Sequence, residues 1–378
     1  MKQRITFFSL LAVLAFGCKP EAETIPGTTA LELNAPKSFG KPVIPADNPT
    51  TVEGVQLGRM LFYEKKLSGD NSMSCGTCHQ QKHAFTDGSN AVSLGIDGKP
   101  GTRNSMSLVN MAWSTSYTWD GGAKTLEQQA RIPIESQVEM HQNMQQAARK
   151  LQNSAHYPPL FRRAFGNEKI TEENILKALA QFERTLISAD SRYDAFKKEY
   201  DKTKDNSKAI FSDDEYKGFV LFNNHPDPNS MRGADCMHCH GGDLFTTQVI
   251  TNNGLDLTFK DPGKGGITGN RFDEGKFKAT TLRNIALTAP YMHDGRFKTL
   301  EEVLDHYNEH VVRNSPNLDP EISGASNNHD PVKGLGLTAR EKQQIIAFLK
   351  TLTDEKFVTN PEFSDPFPNF ADPSKKSK

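Results

Sequence analysis

The chain has 378 residues, with 45 basic and 46 acidic side chains and a formal net charge of −1. This length predicts two or three domains, and the balanced charge argues against a nucleic-acid partner. Hydrophobic residues make up 36% and charged residues 24% of the chain, as is typical of a soluble globular protein. Five cysteines are too few for a disulfide scaffold.

The N-terminus has the pattern of a secretory signal. After a short basic start, the apolar run Ile5–Phe16 is too short to span a bilayer as a mature helix. It leads to Cys18 in a sequence that resembles the lipobox of bacterial lipoproteins; the alternative is an ordinary signal peptide with an incidental cysteine. We expect residues 1–18 to be a lipoprotein-type signal, Cys18 to carry the lipid, and residues 19–50 to form a tether and N-terminal extension of a lipid-anchored periplasmic protein.

Two segments of the chain resemble each other. Residues 57–62 read Leu-Gly-Arg-Met-Leu-Phe, and residues 217–222 read Lys-Gly-Phe-Val-Leu-Phe. In both, the Gly-x-x-Leu-Phe end of a predicted helix precedes a turn-rich stretch and then the motif Cys-x-x-Cys-His, at residues 75–79 and 236–240. This repeat predicts two related domains, each built around one such motif.

Other patterns predict a mainly α chain. An apolar face with helical spacing occurs between Ile175 and Leu186, and residues 246–250 are the candidate for a short strand. Capping-box patterns begin at Ser212, Thr299 and Thr338.

The polar segment 197–208 is the natural boundary between the two predicted domains. We therefore expect an N-terminal domain over residues 51–205 and a C-terminal domain over residues 206–355. The tail, residues 356–378, is expected to lie over the surface.

Each Cys-x-x-Cys-His motif has the spacing of a c-type haem attachment site. Two thiols on one helical turn can each add to a porphyrin vinyl group, and the next residue offers an imidazole to the iron. A zinc site or a thioredoxin-like dithiol is the alternative, but the pairs are far apart in sequence and a dithiol leaves both histidines unexplained. The predicted attachment residues are Cys75, Cys78, His79, Cys236, Cys239 and His240, with the two histidines as proximal iron ligands.

With these motifs in place, the chain resembles the bacterial dihaem cytochrome c peroxidases, whose superfamily includes the MauG-type enzymes. The resemblance runs from about Thr51 to Thr353 and implies two mainly α, cytochrome c-like domains, each with one covalently attached haem c. It is carried by residues 57–62, both haem motifs, Ala84–Gly88, Arg103-Asn104, Trp119–Gly121, Gln129, Pro133, Glu139-Met140, Leu282–Asn284 and Ala289–Gly295.

The resemblance also implies roles for residues of a first, peroxide-binding haem site. Glu139 resembles the distal-pocket glutamate, a carboxyl that can move a proton between the two peroxide oxygens. Gln129 and Pro133 resemble residues that surround this pocket. Trp119 resembles the tryptophan between the two haems, where it can relay electrons or simply pack.

For the second haem, the resemblance implies that Met292 is the axial methionine. MauG-type enzymes carry a tyrosine in this role, so Met292 favours the peroxidase branch. Asn104 resembles a contributor to a calcium site between the domains, for which the carbonyls near Lys278 and Thr280 are further candidates.

One position departs from the family pattern. Many dihaem peroxidases have a histidine before the Arg-Asn pair that caps the first haem until the enzyme is half-reduced, and Ile96 stands there in this chain. Isoleucine cannot ligate iron, so the resemblance implies a first haem that is open without reductive activation. His83 follows the proximal His79 too closely to be an expected substitute.

The resemblance therefore implies a periplasmic peroxidase that reduces hydrogen peroxide with electrons from a small redox protein, such as a monohaem cytochrome c or a cupredoxin. The expected cofactors are two haem c and one Ca²⁺, and the resemblance suggests a homodimer. The alternatives are a MauG-like oxidase of a protein or small organic substrate, and a non-enzymatic dihaem electron carrier.

Overall fold

The computed structural model describes residues 27–204 and 210–367, and these residues are mainly helical as expected. The α-helices are α1 (Val52–Tyr63), α2 (Cys75–Cys78), α3 (Leu126–Glu135), α4 (Met144–Gln152), α5 (Tyr157–Phe165), α6 (Glu172–Arg184), α7 (Arg192–Thr203), α8 (Asp213–Asn223), α9 (Met237–His240), α10 (Gly265–Thr268), α11 (Leu300–Asp305), α12 (Pro320–Gly324), α13 (Ala339–Lys350) and α14 (Glu355–Thr359).

Strands are few and short. Strand β1 (Ile250–Thr251) pairs antiparallel with β2 (Phe277–Lys278), with Ile250 opposite Lys278. The strand expected over residues 246–250 therefore begins only at Ile250. Before it, the carbonyl of Phe245 accepts a hydrogen bond from the N–H of Leu282, and the hydroxyl of Thr246 donates to the carbonyl of Ala279. These residues thus bond to the loop near residue 280 and not to a paired strand. A π-helical turn, His306–His310, directly follows α11.

The predicted repeat appears in the structure as two crossed helix pairs. Helix α1 crosses α6 at Gly58, where an added Cβ would lie 1.9 Å from the carbonyl oxygen of Ala178. Helix α8 crosses α13 at Gly218, where an added Cβ would lie 1.9 Å from the carbonyl oxygen of Gln344. In both pairs, glycine lets the two backbones approach more closely than any side chain would permit.

The predicted helix signals are confirmed. The apolar face of α6, which includes Ile175 and Phe182, is fully buried. The hydroxyls of Ser212, Thr299 and Thr338 each accept a hydrogen bond from the backbone N–H three residues later, and the glutamate at that position bonds back, so all three capping boxes form.

Two apolar cores organise the molecule. The first collects α1, α4, α5 and α6, and the second collects α8, α11 and α13. Helix α7 belongs to the second core through Tyr193 and Phe196, so the change of core falls before Arg192 and not at the polar segment near residue 205. The aromatic side chains of α7 outweigh the polarity of its exposed face.

The tail is expected to lie over the surface, but its described part packs into the molecule. Helix α14 returns to the first core, where Phe357 and Phe363 are 3% and 8% exposed. The side chain of Arg59 donates to the carbonyl of Ser364, and Tyr63 donates to the carbonyl of Phe363. The phenylalanines are apolar enough to bury, and α1 supplies donors for the carbonyls between them.

Part of the expected N-terminal tether is also packed. Phe39 is buried edge-on against Trp113 of the first domain, with ring centroids 5.3 Å apart. The guanidinium of Arg283, from the second domain, lies 4.8 Å from the centre of the same ring. In the described ranges no helix has the length and apolar character needed to cross a bilayer. Cys18 lies outside those ranges, and its lipidation stays a prediction.

Candidate haem sites

The first Cys-x-x-Cys-His motif forms one helical turn. Helix α2 carries Cys75 and Cys78, and a capping box between Ser74 and Thr77 fixes its start. His79 follows directly, and its ring Nδ1 lies 2.8 Å from the carbonyl oxygen of Phe85. Since a carbonyl only accepts, Nδ1 carries the proton and Nε2 keeps a free lone pair.

The second motif has the same arrangement. Helix α9 presents Cys239 and His240, with Cys236 just before it. The ring Nδ1 of His240 lies 3.0 Å from the carbonyl oxygen of Thr280, so its Nε2 is also the atom available to a metal. Burial lowers the pKa of both His79 and His240, which favours the neutral imidazole that binds iron.

A large, mainly apolar cavity opens beside the second motif. Both cysteines and His240 line it, and so does Met292 from the loop after β2. Met292 has a left-handed backbone conformation, with φ of 75°. The donor set of two thiols, one neutral imidazole and one thioether, around apolar walls, fits a covalently bound haem.

The zinc alternative does not fit this geometry. Cys75 and Cys78 pack against the first core, whereas Cys236 packs against the second. Within the described ranges, the group of side chains close enough to share a metal is His225, Asp235 and Glu321, and it contains no cysteine.

Glu139 lies near the first motif. It follows α3 in a tight turn, where its N–H donates to the carbonyl of Ser136 at 3.2 Å. Burial raises the pKa of the Glu139 carboxyl, and a hydrogen bond from Ser136 offsets part of the rise. Burial raises the pKa of Cys78 to about 11, and the charge of Glu139 adds to that rise. The carboxyl is therefore close to the attachment site and partly withdrawn from water.

Gln129 and Pro133 lie one turn apart on α3, on the same face of the helix. Pro133 has no N–H, so the carbonyl of Gln129 lacks its usual helical donor. Both side chains are half-buried. These positions agree with a pocket wall; their chemical roles stay predictions.

Ile96 lies directly beside Glu139, because its N–H donates to the Glu139 carbonyl at 3.0 Å. The side chain of Ile96 packs against the first core. The position that the resemblance aligned with a capping histidine is thus next to the candidate acid–base group and holds a side chain that cannot bind iron. The ring of His83 lies against Gly88.

Trp119 joins the two domains. It belongs to the first domain but lines the cavity of the second, and its indole N–H donates to the carbonyl of Asn104 at 2.8 Å. The carbonyl of Trp119 in turn accepts from the N–H of Lys278 at 2.7 Å. This position suits a relay between the two sites, although packing alone would also produce it.

Ser105 contacts the predicted iron ligand His79, which the sequence did not reveal. Its hydroxyl lies 3.3 Å from the Nδ1 of His79, and the same residue lines the second cavity. The adjacent Asn104 donates its amide to the carbonyls of Asn90 and Ala91. Of the carbonyls proposed to share calcium with Asn104, that of Thr280 already accepts from His240; the calcium site stays a prediction.

The repeat also extends beyond the part recognised in the sequence. Tyr117 bonds across a turn to Ala123, and Tyr291 bonds across an equivalent turn to Phe297. Within these turns Thr118 and Met292 occupy the same place, and both have a positive φ. The signal was the shared pattern Tyr-x-x-Asp-Gly followed by Thr-Leu-Glu. The first domain thus has a hydroxyl where the second has a thioether.

Comparison with known proteins agrees with this geometry. The sequence profile of the di-haem cytochrome c peroxidases matches residues 52–202. The methylamine utilization protein MauG of Methylorubrum extorquens is 35% identical over 318 residues, which cover 82% of this chain and 81% of that protein. The chain belongs to the di-haem cytochrome c peroxidase family. Membership implies two c-type haems, at the two motifs described above.

Both branches of the family are similar to this chain. The cytochrome c551 peroxidase of Nitrosomonas europaea is 31% identical, covering 85% of each chain. The crystal structure of a MauG-like protein associated with microbial copper homeostasis is 36% identical, with a TM-score of 0.76, covering 89% of this chain and 99% of that one. The diheme peroxidase BthA of Burkholderia thailandensis shares the fold, with a TM-score of 0.67.

Proposed function

We propose that this protein is a periplasmic peroxidase that converts hydrogen peroxide, two electrons and two protons into two molecules of water. The electrons would come from a small redox protein, a monohaem cytochrome c or a cupredoxin. When bound, the haems supply electron storage at one site and cleavage of the O–O bond at the other. Further parts of the proposal are a lipid anchor on Cys18, a Ca²⁺ ion at Asn104, and a homodimer.

The proposal rests on the half-buried carboxyl of Glu139 near the first haem motif. A group that binds a proton more tightly than an exposed carboxylate can take it from one peroxide oxygen and return it to the departing oxygen. Ile96, whose N–H bonds to the Glu139 carbonyl, offers no ligand to iron. The first motif therefore has a carboxyl nearby that can handle the protons of peroxide, and no iron-binding side chain at residue 96.

The second site has the opposite character. His240 and Met292 come from different segments of the chain and line one cavity. An imidazole with a thioether suits an electron-transfer haem of raised potential. Trp119 reaches into that cavity from the first domain, and Ser105 contacts both His79 and the cavity lining. These contacts support a short route for electrons from the second site to the first.

The test is the variant Glu139→Gln, which keeps the size of the side chain and removes its acid–base function. We expect the peroxide-dependent oxidation of reduced cytochrome c to slow by about 100-fold or more, with both haems still attached. Glu135→Gln is the matched control, because Glu135 is an exposed glutamate at the end of α3, four residues before Glu139. Equal rates in both variants would refute the role of Glu139.

A second candidate is an oxidase of a protein or small organic substrate, which the similarity to MauG favours. Only trace turnover of peroxide with any reduced donor would point to it. A non-enzymatic electron carrier is the third candidate. It requires both irons to be six-coordinate in every redox state, and Glu139→Gln would then change nothing.

A further inference from the structure

An amide group outside the proposed reaction contacts the Met292 thioether. The Nδ2 of Asn253 lies 3.5 Å from the Sδ of Met292 and 3.2 Å from the hydroxyl oxygen of Tyr307. All three side chains line the second cavity. An amide NH₂ has two hydrogens, so Asn253 can donate one to the sulfur and one to the tyrosine oxygen.

The surrounding structure holds Asn253 in place. The backbone carbonyl oxygen of Asn253 lies 3.0 Å from the Nε2 of His306, whose ring is buried. His306 and Tyr307 are neighbours in the π-helical turn, so one irregular turn fixes both the backbone and the side chain of Asn253. The preceding Asn252 is buried and donates to Ser315 at 2.9 Å.

A thioether sulfur has two lone pairs. If one binds iron, the other can accept the amide hydrogen, which holds the side chain in one orientation. The hydrogen bond also withdraws electron density from the sulfur, so the sulfur donates fewer electrons to iron. This loss destabilises oxidised iron more than reduced iron, and the reduction potential rises. Hydrogen bonds to axial ligands are a recognised means by which proteins adjust haem potentials.

We propose that Asn253 is a positioning residue that orients the Met292 sulfur and raises the reduction potential of the second haem. This inference rests on the proposed function, since it takes Met292 as an axial ligand. It adds a reason why the second site stores electrons well, because the hydrogen bond weakens the electron donation from the Met292 sulfur to iron. Tyr307 supports the same geometry by binding the second amide hydrogen.

The experiment compares the holoprotein with Asn253→Leu, Tyr307→Phe and the control Asn328→Leu. Asn328 is an exposed asparagine of the same domain. The midpoint potential of each haem is measured by optical redox titration, together with the sulfur-to-iron charge-transfer absorption of the oxidised protein. We expect Asn253→Leu to make the second haem about tenfold harder to reduce, equivalent to 59 mV for one electron. Tyr307→Phe should shift it less, in the same direction, and the first haem should not move.

An unchanged or raised potential of the second haem in Asn253→Leu would overturn the inference. Should that variant fail to incorporate haem, Tyr307→Phe decides in the same way, because it removes one oxygen and no packing volume. The ligand assignment is tested separately by Met292→Leu. If the charge-transfer absorption is absent from the wild-type protein, or survives in Met292→Leu, the proposed second site fails, whatever Asn253 does.

Discussion

At the scale of single residues, a few side chains separate two halves that share one architecture. Thr118 and Met292 occupy equivalent turns, but the hydroxyl of Thr118 bonds to the carboxylate of Asp120 at 2.5 Å. A hydroxyl is a poor substitute for the soft sulfur of a methionine at a haem iron. Of these two equivalent turns, only the one in the second domain therefore presents a soft ligand atom.

Another residue of interest is Glu183, a carboxyl buried in the first domain. It is 4% exposed, and its Oε2 has no hydrogen-bond partner among the described residues. Burial raises its pKa to about 8, and the charge of Glu127 adds to the rise while Arg184 opposes it. The folded protein thus holds this proton to a higher pH than the unfolded chain does.

This raised pKa predicts a pH-dependent stability. The unfolded chain releases the Glu183 proton near pH 4.5, the ordinary value, whereas the folded protein keeps it up to about pH 8. Stability should therefore fall as the pH rises between these values. We expect Glu183→Gln to remove most of this fall, as measured by thermal unfolding of the holoprotein at pH 5 and pH 8.

Glu173→Gln is the control for this prediction. Glu173 lies on the same helix, α6, but its side chain is 71% exposed and pairs with Lys177. That variant should keep the pH dependence of the wild type. A Glu183→Gln profile parallel to the wild type would show that Glu183 is not buried in its neutral form.

At the scale of elements, the sequence was most informative where one local pattern determines the structure. The face of α6 and the three capping boxes depend on residues a few positions apart, so they could be predicted. Helix α7 and the tail could not, because no local pattern specifies that Phe196 stacks on Phe211 or that Phe357 packs against Phe85. The strand predicted over residues 246–250 had the wrong bounds, since pairing begins only at Ile250 and its register depends on the distant segment Phe277–Lys278.

The helix crossings make a specific prediction. An alanine at Gly58 would place its Cβ against the carbonyl of Ala178, a backbone atom that cannot move aside. Gly218→Ala meets the same obstacle at Gln344. Each substitution should destabilise its domain by about 1–3 kcal/mol in denaturant unfolding. Gly324→Ala is the control, because nothing lies within 4 Å of an added Cβ there, and equal stability of all three variants would contradict the crossings.

At the scale of the whole molecule, the chain crosses between its domains several times. The segment after α13 returns to the first core, and Asp354 accepts hydrogen bonds from Ser188, Ala189 and Asp190 on the way. Trp119 and Ser105 extend from the first domain to the second cavity. These contacts join the two domains, as the proposed electron transfer between their haem sites requires.

The returning segment should contribute measurably to stability. Phe357→Ala removes a ring that packs 5.7 Å from Phe85, next to the first haem motif. We expect a loss of about 3 kcal/mol or more in unfolding free energy. Phe272→Ala, at a phenylalanine that is 59% exposed, should cost far less. If both variants are equally stable, the segment is not part of the first core.

From the sequence, both haem motifs, Glu139, Trp119 and Met292 could be identified through their motifs and the family resemblance. Ser105 and Asn253 could not, because they lie in loops whose spacing carries no periodic signal and their contacts exist only once the domains pack. The equivalence of Thr118 with Met292 did have a signal, the shared Tyr-x-x-Asp-Gly pattern, which lies beyond the part of the repeat recognised in the sequence.

The central claim is that the two iron centres are unequal, with one open and the other closed by Met292. Cyanide binding, followed by absorption and EPR spectroscopy of the oxidised and the half-reduced holoprotein, tests it most directly. We predict that one haem of the two binds cyanide, already in the oxidised protein, and that the other keeps its axial ligands throughout. Binding at neither haem in either redox state, or at both, would contradict the account.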